Sequence, residues 1–489
     1  MADQIRNFID GSFVDPTTNE WLENINPANT DEVINRYPAS GTEDIDRAVE
    51  AAVRAQKEWK KVPAPQRAEV VFEARRLLAE RTGEFARALT REEGKVLAEA
   101  EGEVQHSLDL LEFLGGEGRR LNGETIPSGA DGTFACTVKA PVGVAALITP
   151  WNFPVAIPVW KIAPAIIAGN AVVLKPAEQT PTTAHMVTEL FVEAGVPEGV
   201  VNTVYGVGEK VGAHLVAHDD IDAISFTGSS EVGLQLYAEG AAGNKKVQCE
   251  MGGKNAIVVL EDGDVEAAAE AAATGAFGAT GQRCTATSRA VVHEDVYDEF
   301  VERVVAAAEQ VQPGDGLDPE STMGPSVDKR QFQQVLDYMD VAREEGVNFE
   351  LPAGRYEEGE LAGGYFVKPT VLTGVDPEMR VAQEEIFGPV LSVIKVSSFQ
   401  QALEAANNSD YGLSSAIWTE NVGRVFRWVD DIETGVVRIN QPTLGGEVQL
   451  PFGGIKDTGV GEREKGKPAV EFFTEDKTVY VNYGAVDEQ

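Results

Sequence analysis

VGVAALITPWNFPVAIPVWKIAPAIIAGNAVVLKPAEQTP, residues 142–181, is the stretch on which the reading of the chain turns. Two apolar runs of strand character, VGVAALI and AVVLKP, stand at its ends. Between them Pro150, Asn152, Pro154, Pro158 and Lys161 interrupt the apolar texture. A simple membrane span needs about 20 uninterrupted apolar residues, so this is no span. Further strand-like runs follow, VVNTVYG (200–206) and AISFTG (223–228), each leading into a helical or glycine-rich segment. Strands alternating with helices point to a parallel α/β sheet able to bind a nucleotide. A second series of the same kind starts at NAIVVL (255–260) and runs to about residue 445, so the chain reads as two α/β domains. Upstream, Ile45, Ala48, Val49, Ala52 and Val53 recur at helical spacing over 42–59, with Thr42 as the expected N-cap. Similar patterns run through 65–82 and 84–121.

The 489 residues exceed one ordinary core, and 43% hydrophobic with 7% aromatic residues is a globular composition. MADQIRNFIDGSF at the start lacks the basic flank and apolar core of a secretory signal, so a soluble cytoplasmic protein is expected. Against 41 basic residues stand 79 acidic ones, a net charge of −38 spread along the whole chain. That excess fits a salt-rich cytoplasm, where ions screen self-repulsion; a merely acidic cytosolic protein is the alternative. It argues against nucleic-acid binding, which needs basic patches. The three cysteines, Cys136, Cys249 and Cys284, have no CxxC or CxxH spacing, so neither a disulfide framework nor a metal site is expected.

Cys284 lies in GATGQRCTATSR, a polar segment whose Gly278 and Gly281 permit close backbone approach. A lone cysteine is often a small core residue, but this setting, with Arg283 beside it, suits a thiolate nucleophile. Glu250, before Gly252 and Gly253, is either a loop-end ion-pair residue or a base that activates water. Asn152, in TPWNFP, either caps the preceding strand through an Asx-turn or donates to an oxyanion. Lys175 and Glu178 follow a strand, where ribose and phosphate contacts gather. Gly228 and Ser229 sit where a strand ends and a helix begins, offering amides to a pyrophosphate. YGVGEKVG (205–212) does not match GxGxxG and is a weak signal.

WNFP, KPAEQTP, FTGSSEVG, EMGGK, GQRCTA, EEIFGPV and PFGGIK occur in the order and near the spacing of the aldehyde dehydrogenase superfamily, and the resemblance runs over nearly the whole chain. It implies an α/β fold with a Rossmann-type cofactor domain (1–122 and 142–251), an α/β catalytic domain (252–446) and a small β oligomerisation arm (123–141 and 470–489). By the same resemblance Cys284 is the nucleophile, Glu250 the base, Asn152 with the Cys284 amide the oxyanion hole, and Lys161 a proton-relay lysine. Trp151, Lys175, Glu178, Gly228, Ser229, Glu385 and Phe387 are the implied cofactor contacts, and NAD or NADP the cofactor. A homodimer or homotetramer is implied, with an aldehyde as the small-molecule partner and no membrane or nucleic acid.

Three features depart from the family pattern. Met251 stands where leucine is usual and Thr458 where serine is common, and one extra residue falls around Glu462. No role is therefore carried onto Glu464. GQRCTATSR and EVQLPFGGIKDTG resemble the branch that oxidises α-ketoglutarate semialdehyde (2,5-dioxopentanoate). The distal carboxylate of such a substrate needs an anchor, which Arg283 or Ser288 can supply. For Arg283, a structural ion pair and a thiolate-tuning charge stand equally open. Glu178 favours NAD by accepting from the ribose 2′-hydroxyl, whereas Lys175 can meet a 2′-phosphate. Succinate semialdehyde and other aldehydes remain alternative substrates. Acylating relatives commonly lack the glutamate, and a protein that had lost catalysis would show decay at these motifs, so both alternatives are disfavoured.

Overall fold

Val144–Ile148 is buried at all five positions, as expected of a parallel strand covered on both faces. It is central to an eight-stranded sheet in a computed structural model that describes residues 3–484. On one side it pairs in parallel with Ala171–Lys175, and Val201–Thr203 follows. On the other it pairs with Ala223–Thr227, and Lys246–Glu250 follows. Antiparallel strands close both edges, Asn7–Ile9 and then Ser12–Val14 at one and Gly459–Val460 at the other. The strand order thus reverses beside Val144–Ile148, and a ligand crevice opens beyond the carboxyl ends at such a point.

The second sheet has seven strands, six of them parallel, with Ala256–Val259 between Arg289–His293 and Ser414–Trp418. It presents its amino ends to the site. Gly252 and Gly253 precede Ala256–Val259, Cys284 precedes Arg289–His293, and Glu385 and Phe387 precede Val390–Val396. Residues at the carboxyl ends of one sheet therefore meet residues at the amino ends of the other.

A third, three-stranded antiparallel sheet joins Thr125–Ile126, Thr133–Pro141 and Thr474–Asn482. It lies within the segments expected to form the arm; of these, residues 485–489 lie outside the described residues. Phe134, Val138, Tyr480 and Val481 on it are exposed.

The interrupted apolar segment folds as strand, loop and the helix Ala156–Ala168, all of whose residues are buried. Its last carbonyls are taken by neighbours: Trp59 Nε1 donates to Ile166 (2.8 Å) and Arg67 Nε to Ile167 (2.7 Å). Gly169 then turns the chain at φ +99°, a region that costs a side chain dearly. No helix among the described residues is long and apolar enough to cross a membrane.

Two expectations are corrected here. The helix Thr42–Trp59 forms over the expected span, but its N-cap is Gly41, whose amide donates to the Asp44 carboxylate at 3.0 Å. The expected helix over 84–121 is two, Thr82–Glu93 and Leu97–Glu117. Gly94 separates them at φ +98°, and its missing side chain leaves room for Pro325, which would lie 2.7 Å from a Cβ. Apolar periodicity continues across the break, so only the glycine marks it.

Candidate active site

Where the two sheet edges meet, Trp151, Asn152, Gly228, Ser229, Glu250, Cys284, Glu385 and Phe387 line one cavity of about 630 Å³. Lys161 reaches its wall through Glu464, whereas Lys175 and Glu178 lie outside the lining. The expected residues thus converge from segments more than a hundred positions apart.

Cys284 is placed by a strained turn. Ala279, Thr280 and Gly281 all adopt left-handed conformations (φ 48°, 58° and 67°). Such backbone persists only where the surroundings over-determine it. Here Ala279 N donates to Glu99 (2.7 Å), Thr280 Oγ1 to the Gly324 carbonyl (2.9 Å), and Gln282 Oε1 accepts from Val327 N (3.0 Å). Gly281 is required twice, because a Cβ would also stand 2.1 Å from the Gly388 carbonyl. At Gly278 there is more room, since a Cβ would sit 3.3 Å from Glu99. Burial pushes the Cys284 thiol up to about 12, and the Lys465 charge opposes this.

Asn152 follows Val144–Ile148 on a loop that Lys95 and Glu103 hold. Lys95 Nζ donates to the Asn152 carbonyl (2.7 Å) and to Glu103 (2.8 Å), while Glu103 accepts from the amides of Val155 and Ala156. That carboxylate caps the helix Ala156–Ala168 from a different helix, where a helix start lacks its own acceptors. Asn152 Nδ2 donates to the Gln282 carbonyl at 3.1 Å, bringing its amide beside Cys284. One of its two amide hydrogens remains for another acceptor. Neither Lys95 nor Glu103 stood out in the sequence, since each resembles an ordinary helical surface charge.

Glu250 closes the strand Lys246–Glu250 and is buried. Burial, and then the nearby Glu464, raise its carboxyl well above the usual range. Gly454 N donates to it at 3.3 Å. Gly453, at φ +150°, lies so close that a Cβ would be 2.0 Å from Glu250 Oε1. Gly453→Ala should therefore displace the carboxylate and lower kcat by about 10-fold or more, given what small misplacements of reacting groups cost. The melting temperature, measured beside kcat, should fall as well, because alanine is strained at that φ; an unchanged kcat would exclude this packing role.

Lys161, fully buried on the helix Ala156–Ala168, donates to Ser225 Oγ (2.7 Å) and pairs with Glu464. Glu464 also lines the cavity and is held by reciprocal backbone bonds with Phe452, 2.7 and 2.8 Å long. Gly461, beside the extra residue near Glu462, turns the chain at φ +80°, and Glu464 beyond it reaches the cavity. Glu464 is thus a site residue that the altered spacing had hidden. Lys465, the next residue, went unmarked as well, although it too lines the cavity. Met251 packs beneath Gly233, where a Cβ would be 2.4 Å from its sulfur. Thr458 donates to the Gly252 carbonyl at 2.7 Å, a bond that serine would also make.

Arg283 lines the cavity but pairs with Glu99 at 2.8 Å, the structural ion pair among its three readings. Ser288 does not reach the cavity lining; its hydroxyl donates to the Asn255 carbonyl at 3.3 Å. Its expected place at the substrate is corrected accordingly, because the turn into the strand Arg289–His293 directs it to backbone.

The surroundings fit a dinucleotide. Ser229 precedes the helix Ser230–Ala242, and Gly228 and Ser229 line the crevice at its N-terminal end, where free amides suit an anion. Trp151 and Phe387 pack edge to face at 5.4 Å, with Phe387 in a left-handed conformation (φ 56°). Glu385 accepts from Gly253 N at 2.8 Å, and burial raises its carboxyl to about 7. Glu178 accepts from Gly208 N (2.7 Å) and Lys175 Nζ (3.3 Å) at the edge of the same sheet. YGVGEKVG therefore contributes an amide that holds Glu178. All three cysteines are free; Cys249 is fully buried in the core and Cys136 lies on the third sheet.

Residues 13–479 match the model of the aldehyde dehydrogenase family. An α-ketoglutarate semialdehyde dehydrogenase of Haloferax volcanii is 45% identical over 99% of this chain and 100% of its own length. An α-ketoglutaric semialdehyde dehydrogenase of Bacillus subtilis is 42% identical over 97% of each chain. Betaine aldehyde dehydrogenase of Staphylococcus aureus, solved in complex with NAD+, superposes with a TM-score of 0.95 at 34% identity, over 98% of this chain and 95% of that one. With the thiol, carboxylate and amide gathered at the junction of two parallel sheets, these similarities place the chain in the aldehyde dehydrogenase family, as an enzyme that oxidises aldehydes with a nicotinamide dinucleotide.

Proposed function

We propose that the chain oxidises α-ketoglutarate semialdehyde to α-ketoglutarate, with NAD or NADP as hydride acceptor. The observation that carries the substrate is the similarity, at 42–45% identity over nearly full length, to dehydrogenases named for that semialdehyde in an archaeon and a bacterium. The motif reading of the sequence points the same way.

In this reading the Cys284 thiolate adds to the aldehyde carbon, and the Asn152 amide with the Cys284 N–H takes the alkoxide of the resulting thiohemiacetal. The bound dinucleotide supplies the hydride acceptor. Loss of hydride from the former aldehyde carbon leaves a thioester on Cys284. Glu250 then takes a proton from water, which attacks that thioester and releases the acid and the thiolate. Lys161 and Glu464 form the buried pair through which the proton leaves Glu250. Intact Glu250 favours a free acid over an acylated acceptor.

Lys175 and Glu178 hold the adenosine ribose, Gly228 and Ser229 the pyrophosphate, and Trp151, Glu385 and Phe387 the nicotinamide end. The 2.7 Å bond from Gly208 N fixes Glu178, which favours NAD over its phosphorylated form. Residues 1–122 and 142–251 form the cofactor domain and 252–446 the catalytic one. The arm, with its exposed Phe134, Val138, Tyr480 and Val481, builds a homodimer or homotetramer. A salt-rich cytoplasm is consistent with the −38 charge and the free thiols.

A cross of α-ketoglutarate semialdehyde, succinate semialdehyde and pentanal with NAD and NADP, read by reduced-cofactor absorbance in high salt, tests this. The expected result is the highest kcat/KM with α-ketoglutarate semialdehyde, with NAD preferred. Equal rates with all three aldehydes would remove the substrate assignment and leave the family chemistry.

A further inference from the structure

We propose that Lys465 recognises the distal carboxylate of the aldehyde and so sets the enzyme's preference for anionic substrates. The proposal deepens the semialdehyde reading above and names the residue that would carry its charge selectivity.

Lys465 lines the same cavity as Cys284 and is only 4% exposed. Its ammonium meets His106 Nε2 at 3.0 Å and lies over the rings of Trp160 and Phe452, 4.6 and 4.7 Å from their centroids. Among the described residues no carboxylate oxygen stands within 4.0 Å of it. This is unusual company for a cation in a chain with 79 acidic residues. Three other cations around the site are matched, Lys161 with Glu464, Lys95 with Glu103 and Arg283 with Glu99, whereas Arg330, which also lines the cavity, is exposed to solvent. Glu464 is adjacent in sequence but its carboxylate is turned to Lys161.

A buried cation without a counter-ion is costly, and aromatic faces offset only part of that cost. Here the backbone also works to keep it in place. Lys465 sits at φ +58°, a conformation that side chains disfavour, and Gly466 follows at φ +55° with the Gln449 carbonyl 2.8 Å from where its Cβ would be. The Phe452–Glu464 backbone bonds fasten the segment from the other side. Strain and an unmatched charge directed into one cavity are explained together if an anion completes the site.

The protonation states agree. Burial lowers the Lys465 ammonium only to about 8, so it is largely charged at neutral pH. Burial, with Lys465 beside it, lowers His106 to about 4, so the imidazole is neutral and accepts one ammonium hydrogen. The remaining two N–H groups are available to a carboxylate. Arg283, the anchor expected from sequence, already has Glu99 as its counter-ion.

Lys465 also acts on the Cys284 thiol, so anchoring must be separated from thiolate tuning. The experiment compares α-ketoglutarate semialdehyde, succinate semialdehyde and uncharged pentanal on the full-length parent, Lys465→Met and Lys465→Arg. We expect the parent to prefer both anions. In Lys465→Met the ratio of kcat/KM for anionic over uncharged aldehyde should fall about 30-fold, mainly through KM, as loss of a charged hydrogen bond predicts. Lys465→Arg should retain most of the ratio. Inhibition of pentanal oxidation by α-ketoglutarate should weaken in parallel in Lys465→Met, a readout that needs no semialdehyde turnover.

Equal losses on charged and uncharged aldehydes, with an alkaline shift of the pentanal pH profile, would overturn the proposal in favour of thiolate tuning. A parent that prefers neither anion over pentanal would overturn it too. A parent that prefers succinate semialdehyde, with the same loss in Lys465→Met, would support Lys465 as the anchor while withdrawing the substrate named above.

Discussion

Glu250→Gln should release roughly one equivalent of reduced cofactor per active site and then stall. The first half of the reaction needs only the thiol and the oxyanion donors, so the hydride leaves at close to the parent rate. The second half needs a base for water, and an amide is none. Steady-state turnover should fall by about 10²–10⁴-fold, the usual worth of a positioned general base. Stopped-flow absorbance separates the burst from the steady state. The pH dependence has a definite sign. Burial and Glu464 raise the Glu250 carboxyl well above its ordinary range, and only its carboxylate form takes a proton. Parent turnover should therefore rise with pH through that raised value and fall below it. In Glu250→Gln the burst rate should keep its own rise with pH, which reports the Cys284 thiol, pushed up to about 12 before substrate binds. Turnover by Glu250→Gln at the parent rate would sink the assignment of Glu250 as base.

Cys284→Ala should lose both phases. Without the sulfur there is no thiohemiacetal and no covalent route to the acid, and a loss of about 10⁴-fold or more is expected for a nucleophile. Cys284→Ser should be nearly as inactive, because burial in the same cavity opposes ionisation of a hydroxyl even more than of a thiol. The control is dinucleotide binding, followed by quenching of tryptophan fluorescence, since Trp151 lines the cavity. Binding should survive in both variants. A burst of reduced cofactor from Cys284→Ala would reassign the nucleophile, and Cys249 is a poor replacement because it is fully buried in the core with its thiol also raised to about 12.

How much of this was legible before folding differs from residue to residue. The helix Thr42–Trp59 and the strands Val144–Ile148 and Ala171–Lys175 follow from local apolar periodicity, which the chain carries within a few residues. Gly94 ends a helix through one positive φ, a local event with almost no trace in the pattern around it. Asn152, Glu250 and Cys284 were legible because each sits in a short motif whose oddity, an asparagine between aromatics or a thiol among glycines, is itself local. Glu464 was obscured in the sequence by the altered spacing of its motif, and only the folded turn around Gly461 shows it at the cavity.

The sequence by itself pointed to two α/β units, the family and three candidate residues, Asn152, Glu250 and Cys284, that the fold brings to one cavity, because motif and periodicity are properties of neighbouring residues. Tertiary structure alone decided which charges are matched. Arg283 and Glu99 are 184 positions apart, and Lys161 and Glu464 are 303 apart. Whether a lysine is neutralised, strained or aimed unpaired into a cavity depends on what packs against it from distant segments. Burial strengthens or penalises each charge according to those partners, so the same Lys465 that reads as ordinary in the chain becomes a buried, unmatched cation at the site.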